Sequence, residues 1–259
     1  MGRLHRPYFR NGPEHRAGAD VSFTDIVKIF AFQQIRIGRW VTSFEQQLAA
    51  NLFFDALCDL QCLLQVPPAV ISLNGSLALT FGIGGQRGTC AYYQPQGRIL
   101  ALAKNAGGGS LAHEWFHAFD HHIAPKLFQL PTDARHVFAS RHWLQTHQRI
   151  PHPLNDYLDR AFKQLFLSPN HQDGSALFQR CRLFDRQHGW YYFAKPEEMA
   201  ARAFEQMLQR QALQNSFLVS GCLSGPAFEA GLYPEPDISQ ALTIEWLGYF
   251  QQLGLCLQR

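Results

Sequence analysis

The stretch "GGGSLAHEWFHAFDHH" (residues 107–122) constrains this chain more than any other, because it sets His113, Glu114 and His117 in the order H-E-x-x-H. Residues four apart share a face of an α-helix, so a helical backbone here aims both imidazoles at one point. Glu114 sits one step round, close enough to reach a water on an ion held there and poorly placed to bind the ion itself. Metal-assisted hydrolysis needs this arrangement. Two neutral nitrogens hold zinc, and the carboxylate takes a proton from a water whose pKa the metal lowers to about 7. Leu111, Trp115, Phe116 and Phe119 interleave with these residues, which suits a helix packed into a core better than an exposed histidine-rich face. Ser110 stands where a helix cap would, after the glycine run.

A zinc site of this kind takes a third protein ligand and leaves its fourth position to water. His121 lies one turn beyond His117, about 6 Å further along a straight helix. No glycine follows to bend the chain back, so His121 and His122 are expected to face solvent or to support the ligands. The better source is "WYYFAKPEEMAARAFEQ" (190–206). Pro196 suits the first turn of a helix, Glu197 and Glu198 follow it, and Ala201, Arg202 and Glu205 continue the face of Glu198. Glu198 is the candidate third ligand, with Glu197 or Glu205 as substitutes. Two acids near a helix N-terminus are also what the helix dipole favours without any metal.

Around these segments the pattern changes twice. Residues 21–43 begin with helical spacing and turn extended near Ile35 to Val41. Thr42 with Glu45 then offers a capping box, and Phe44, Leu48, Leu52, Ala56, Leu60 and Leu63 recur at helical spacing until Pro67 and Pro68. Between 71 and 103 the pattern becomes strand-like. "LALTF" alternates, with Leu77, Leu79 and Phe81 on one face, and "TCAYY" and "RILALA" are further strands. "GIGGQRG" reads as a hairpin turn and not as a phosphate loop, since no Lys-Ser/Thr follows it. The strand at Ile99 to Ala103 is a candidate either for pairing with an extended peptide or for a buried place in the sheet. From 107 onward helical spacing dominates, over 110–124, 132–148, 154–167, 196–213 and 238–252. Asp237 with Gln240 would cap the last of these and Gly254 would stop it. A small sheet followed by helices without a linker predicts one α+β domain over 21–259.

The first 20 residues carry Arg3, Arg6, Arg10 and Arg16 among scattered Gly and Pro, and read as a flexible basic arm. A net charge of +3, with 17% charged residues dispersed along the chain, does not predict a nucleic-acid partner. No apolar h-region follows the N-terminal charges, and no apolar run approaches the ~18 residues of a membrane span. A soluble, cytoplasmic protein without membrane contact is therefore expected. The six cysteines, at 58, 62, 90, 181, 222 and 256, are dispersed among apolar neighbours and are expected to be core thiols.

Four segments carry a resemblance: "IRIGRWV", "SLNGSLALTFG", "GSLAHEWFHAFD" and "PEEMAARAFE". In this order, over about 35–210, they resemble the metallopeptidase-like, large polyvalent-protein-associated domains of phage and mobile-element proteins. The resemblance implies a zincin-like fold of gluzincin type. It also implies Zn2+ held by the H-E-x-x-H helix and a downstream acidic helix, and a peptide or protein substrate. The later segment is also similar to the lethal-factor type of gluzincin, in which a tyrosine seven residues before the third-ligand glutamate faces the metal. Tyr191 occupies that position relative to Glu198, with Tyr192 as competitor, and the resemblance implies an oxyanion-stabilising phenol. In that type an acid stands four residues after the ligand, whereas Arg202 stands there in this chain. This departure leaves Asp120 and Glu205 as the acids expected to orient the ligands. Because one fold hosts many functions, the alternative is a catalytically silent, zincin-shaped binding module of a phage- or mobile-element-linked assembly.

Overall fold

Two reciprocal capping boxes start the first long elements. In α1 (Phe23–Phe30) the pair is Ser22 and Asp25, and in α2 (Ser43–Leu64) it is Thr42 and Glu45. Each hydroxyl accepts the N3 backbone N–H while each carboxylate accepts the cap's own N–H, satisfying two donors that the helix leaves orphaned. Gln65 closes α2 in the left-handed conformation, and Pro67 and Pro68 open the short α3 (Pro68–Ile71). The computed structural model describes residues 3–83, 91–103, 108–132, 134, 136–145 and 148–258.

The sheet contains β1 (Ile35–Ile37), β2 (Ala78–Phe81), β3 (Ala91–Gln94) and β4 (Ile99–Leu102) in the spatial order β1-β2-β4-β3. β1, β2 and β4 run parallel, and β3 pairs antiparallel with β4. All four residues of β2 are buried, Thr80 included, so the expected alternation does not appear as one wet face. A strand with neighbours on both sides in a mostly parallel sheet is covered on both faces. β4 lies between β2 and β3, so its backbone is committed to the sheet and the peptide-pairing alternative for Ile99 to Ala103 is corrected. Most of the glycine-rich turn "GIGGQRG" lies outside the described residues.

The fold is α+β, with a small mixed sheet and a mainly helical remainder. The chain forms two compact units. One holds Met1–Ala118 with Gln211–Ser220, the other Phe119–Arg210 with Gly221–Leu257. Within the first unit, residues 4–16 differ from the loose arm expected. Leu4 is buried, and Arg10 grips Asp59 with two nitrogens at 2.6 and 2.7 Å. His15 Nε2 and Asn215 Nδ2 approach the same carboxylate at 2.8 Å each, and Arg16 Nε reaches Asp55 at 3.1 Å. The cause lies in α2, which turns Asp55 and Asp59 to the same side one turn apart. A carboxylate with no exposure, as at Asp59, persists only with cations and donors around it.

The first unit also contains the start of α4 (Leu111–Leu127). The second holds α5 (Ala139–Trp143), α6 (Pro153–Phe166), α7 (Ala176–His188), α8 (Pro196–Gln209), α9 (Pro226–Glu229) and α10 (Pro236–Leu257). Its core gathers Phe204 of α8 against Trp246 and Phe250 of α10, with ring centroids 5.8 and 6.3 Å apart, and Phe119 packs on Phe250 at 4.9 Å. Of the helix expected over 132–148, the described residues form α5, while 133, 135, 146 and 147 lie outside the described residues. α7 was not foreseen, because its arginine-rich sequence buries only Leu177, Cys181 and Asp185 and leaves a sparse apolar period. α10 starts before Asp237 and runs through the buried Gly254. Glycine ends a helix where the chain turns left-handed, and Gly254 is not among the positive-φ glycines. No helix of the described residues is long and apolar enough to cross a membrane.

The cysteines split instead of sharing a core. Cys181 and Cys222 are buried and Cys58 is half-buried, while Cys62 and Cys256 are exposed, and Cys90 lies outside the described residues. Helical spacing alone put Cys58 and Cys62 on one face, but that face runs to the rim of the helix packing. Burial pushes the Cys58 thiol up to about 12 and raises those of Cys62, Cys181 and Cys222. A raised thiol holds less thiolate, the alkylating species. Brief iodoacetamide treatment at pH 8 is therefore expected to label Cys256 ahead of Cys62 and to spare Cys58, Cys181 and Cys222 until the protein is denatured, as read by peptide mass mapping.

Candidate metal centre

The glycines before α4 are set by a close crossing of two backbones. A Cβ on Gly108 would lie 2.4 Å from the Phe217 Cα, and one on Gly109, where φ is +104°, would lie 2.2 Å from Ser220 Oγ. The Gly109 N–H donates to Phe217 O (2.8 Å), and the Ser220 N–H returns a bond to Gly109 O (3.1 Å). The Ala112 N–H, one of the donors a helix start leaves open, goes to Leu218 O at 3.0 Å. Asn215 Oδ1 shapes the crossing segment as a turn by accepting the N–H groups of Phe217 and Leu218. Trp115, fully buried, donates its indole N–H to Ile71 O (2.8 Å), which fixes the rotation of α4 about its axis.

With that rotation fixed, His113 and His117 present their Nε2 atoms to each other at 3.2 Å. Both residues are buried, at 8% and 7% exposure. Two ring nitrogens this close share one proton or face a common cation. Tetrahedral zinc with Zn–N bonds of 2.0–2.1 Å would hold its two nitrogens about 3.3 Å apart, so the pair fits that ion without rearrangement. Glu114 is half-buried, and its Oε2 accepts the backbone N–H of Tyr93 at 2.8 Å. Tyr93 belongs to β3, which among the described residues pairs with β4 alone, so this glutamate is braced against that edge of the sheet.

On α8, the order Gly189, Asp185 and Pro196 explains where the helix begins. Gly189 ends α7 in the left-handed conformation, and the Asp185 carboxylate accepts the backbone N–H groups of Tyr192, Phe193 and Ala194 at 2.8–3.1 Å. Pro196 then opens α8. Asp185 was missed in the sequence. Its only signal is an acid one turn before a glycine stop, an arrangement many surface helices share.

The three acids of α8 have different surroundings. Glu197 pairs with Arg141. Glu205 accepts the Tyr233 phenol at 2.9 Å, and burial followed by the Glu205 charge keeps that phenol well above its ordinary pKa, hence a permanent donor. Glu198 is half-buried in the first turn of α8. Arg202 is buried, donating to Leu232 O and Phe193 O and lying 4.9 Å over the Phe193 ring. It is a clamp within its own unit, where the lethal-factor type has an acid.

The remaining sequence candidates are placed as follows. Asp120 is fully buried and accepts the backbone N–H and the hydroxyl of Ser140. His121 is 8% exposed, with its ring 5.9 Å from His136 and 5.8 Å from Phe138, so the expectation that it faces solvent is corrected. Past His117 the side of α4 that carries His121 is covered by the 136–138 segment. His122 is half-buried beside Lys126. Tyr191 is 73% exposed with the Lys195 ammonium 5.6 Å from its ring centre, and Tyr192 is 42% exposed.

Among protein families, residues 184–257 match the model of Large polyvalent protein-associated domain 1. The match covers α8 and α10, whereas the segments "IRIGRWV", "SLNGSLALTFG" and "GSLAHEWFHAFD" lie outside it. No curated protein and no solved structure matches the chain.

Proposed function

We propose that the chain is a zinc-dependent metallopeptidase of zincin-like, gluzincin type. The observation that carries this reading is the pair of buried imidazoles with Nε2 atoms 3.2 Å apart, beside a glutamate braced on the sheet edge. His113 and His117, with Glu198 as the third ligand that the sequence pattern and the resemblance imply, are the residues that would hold the ion, and two imidazoles with one carboxylate suit zinc best. When bound, zinc supplies Lewis-acid polarisation of a carbonyl and lowers the pKa of a water to about 7. Glu114 takes the proton of the attacking water and hands it to the departing amine. The Tyr93 N–H on its Oε2 keeps the carboxylate oriented for both transfers. Among the described residues β3 pairs with β4 alone, and its other side is suited to pairing with an extended peptide, in place of β4. Tyr191 or Tyr192 is the candidate oxyanion donor. The family match over 184–257 supports a phage- or mobile-element-linked setting for this activity.

Metal analysis of the purified full chain is expected to return about one zinc per chain. Glu198→Ala is expected to weaken zinc binding by more than the about 10–100-fold that loss of an outer-shell partner costs. Glu197→Ala, which removes the partner of Arg141, should leave the affinity within that range. Equal zinc content in the wild type and a His113→Ala, His117→Ala double variant would sink the reading.

A further inference from the structure

A second cluster of unused chemistry lies in the first unit, at the C-terminal ends of the parallel strands β1 and β2. Gly38 and Gly82 follow the two strands directly, and the Gly38 N–H donates to Phe81 O at 2.8 Å. A Cβ on Gly38 would sit 2.0 Å from Gly82 O, so only glycine permits this approach. Over these glycines opens a cavity of about 550 Å3 whose wall includes Arg36, Arg39 and Trp40. The crevice outside the carboxyl ends of parallel strands is where open α/β sheets receive ligands.

The wall has one electrostatic sign and one flat surface. Arg36 and Arg39 are exposed, and among the described residues no carboxylate lines the cavity and neither guanidinium has a salt-bridge partner. Trp40 is 85% exposed, and Phe44, four residues on, is 69% exposed with His5 stacked on it at 5.9 Å and 7° between planes. Exposed tryptophan is an expensive way to build a mere surface, since its burial would contribute stability. Guanidinium groups beside an aromatic platform bind a ligand that has both phosphate and a π-face. Arg10 and Arg16, by contrast, are already taken by Asp59 and Asp55, so the basic character of the N-terminal segment is not the source of this surface.

We propose that Trp40, Arg36 and Arg39 form a binding site for single-stranded nucleic acid, with a base stacked on the indole and the guanidiniums on flanking phosphates. Unpaired bases are required, because a base inside a duplex has no free face to stack. A cavity of this size takes one or two nucleotides and no more. The site is independent of the histidine pair and needs no metal.

Fluorescence anisotropy of a labelled dT8 oligonucleotide with the full chain at low salt tests it. Trp40→Ala is expected to weaken binding about tenfold, as loss of one stacked base does. A deoxyribose-phosphate oligomer lacking bases should bind about tenfold more weakly to the wild type. An Arg36→Gln, Arg39→Gln variant should flatten the dependence of log Kd on log salt by about 1.4, two phosphate contacts at about 0.7 each. All three residues are exposed, and unchanged thermal melting of the variants checks that they fold. Wild-type binding no tighter than that of Trp40→Ala would overturn the proposal. So would equal affinity for the base-free oligomer, or competition by poly-glutamate as effective as by unlabelled dT8, which would make the surface a dock for acidic protein.

Discussion

Glu114→Gln is expected to keep the zinc of the wild type and to lose about 10²–10⁴-fold in the hydrolysis of an unstructured protein substrate, the contribution of a positioned general base. The substitution is close to isosteric, and the amide oxygen of Gln still accepts the Tyr93 N–H that Glu114 accepts at 2.8 Å, so the edge of the sheet stays in place. What disappears is the ability to take and return a proton. The measurement is paired: zinc per chain, and cleavage rate of a denatured protein at the same pH. Retained zinc with lost cleavage supports the base. Equal cleavage by both proteins removes Glu114 from the mechanism, and zinc without cleavage in the wild type moves the chain to the binding-module alternative.

Asp59→Ala is expected to cost about 3 kcal/mol of stability, the low end for breaking one side of a buried ion pair. Asp59 has no exposure and receives Arg10, His15 and Asn215 together. Removing it strands the Asn215 amide, which is itself buried, and frees the segment through Arg16. At about 2–4 °C per kcal/mol for a chain this long, the melting temperature should fall by about 6–12 °C. Asp55→Ala is the internal comparison. Its pair with Arg16 is partly exposed on both sides, so solvent already screens it, and its loss should cost less than about 1 kcal/mol. Loss of no more stability at Asp59 than at Asp55 would show that the cluster merely tolerates its charge. Limited proteolysis offers a second reading, since residues 4–16 should become cleavable in Asp59→Ala alone.

Much of this was legible in local chemistry. Reciprocal caps at Thr42 and Glu45, the H-E-x-x-H helix and the proline start of α8 appear where short-range rules put them. The misses share a cause. α7 buries too few apolar residues to show a period, Gly254 sits in a helix that the packing of α10 carries past it, and nothing in the local spacing of α2 marks Asp59 as buried. In each, the deciding partner is far away in sequence.

The sequence by itself determined that His113 and His117 share a face, because 3.6 residues per turn leaves no alternative once the segment is helical. It also determined that acids follow Pro196 on a second helix. Only the tertiary structure decided that β4 lies between β2 and β3, that Arg141 engages Glu197 and Tyr233 engages Glu205, and that Arg10 and Arg16 are bound. The physical reason is range. Helical period and capping act over three or four residues, whereas sheet order and ion pairing depend on which distant segments the folded core brings within a few ångströms.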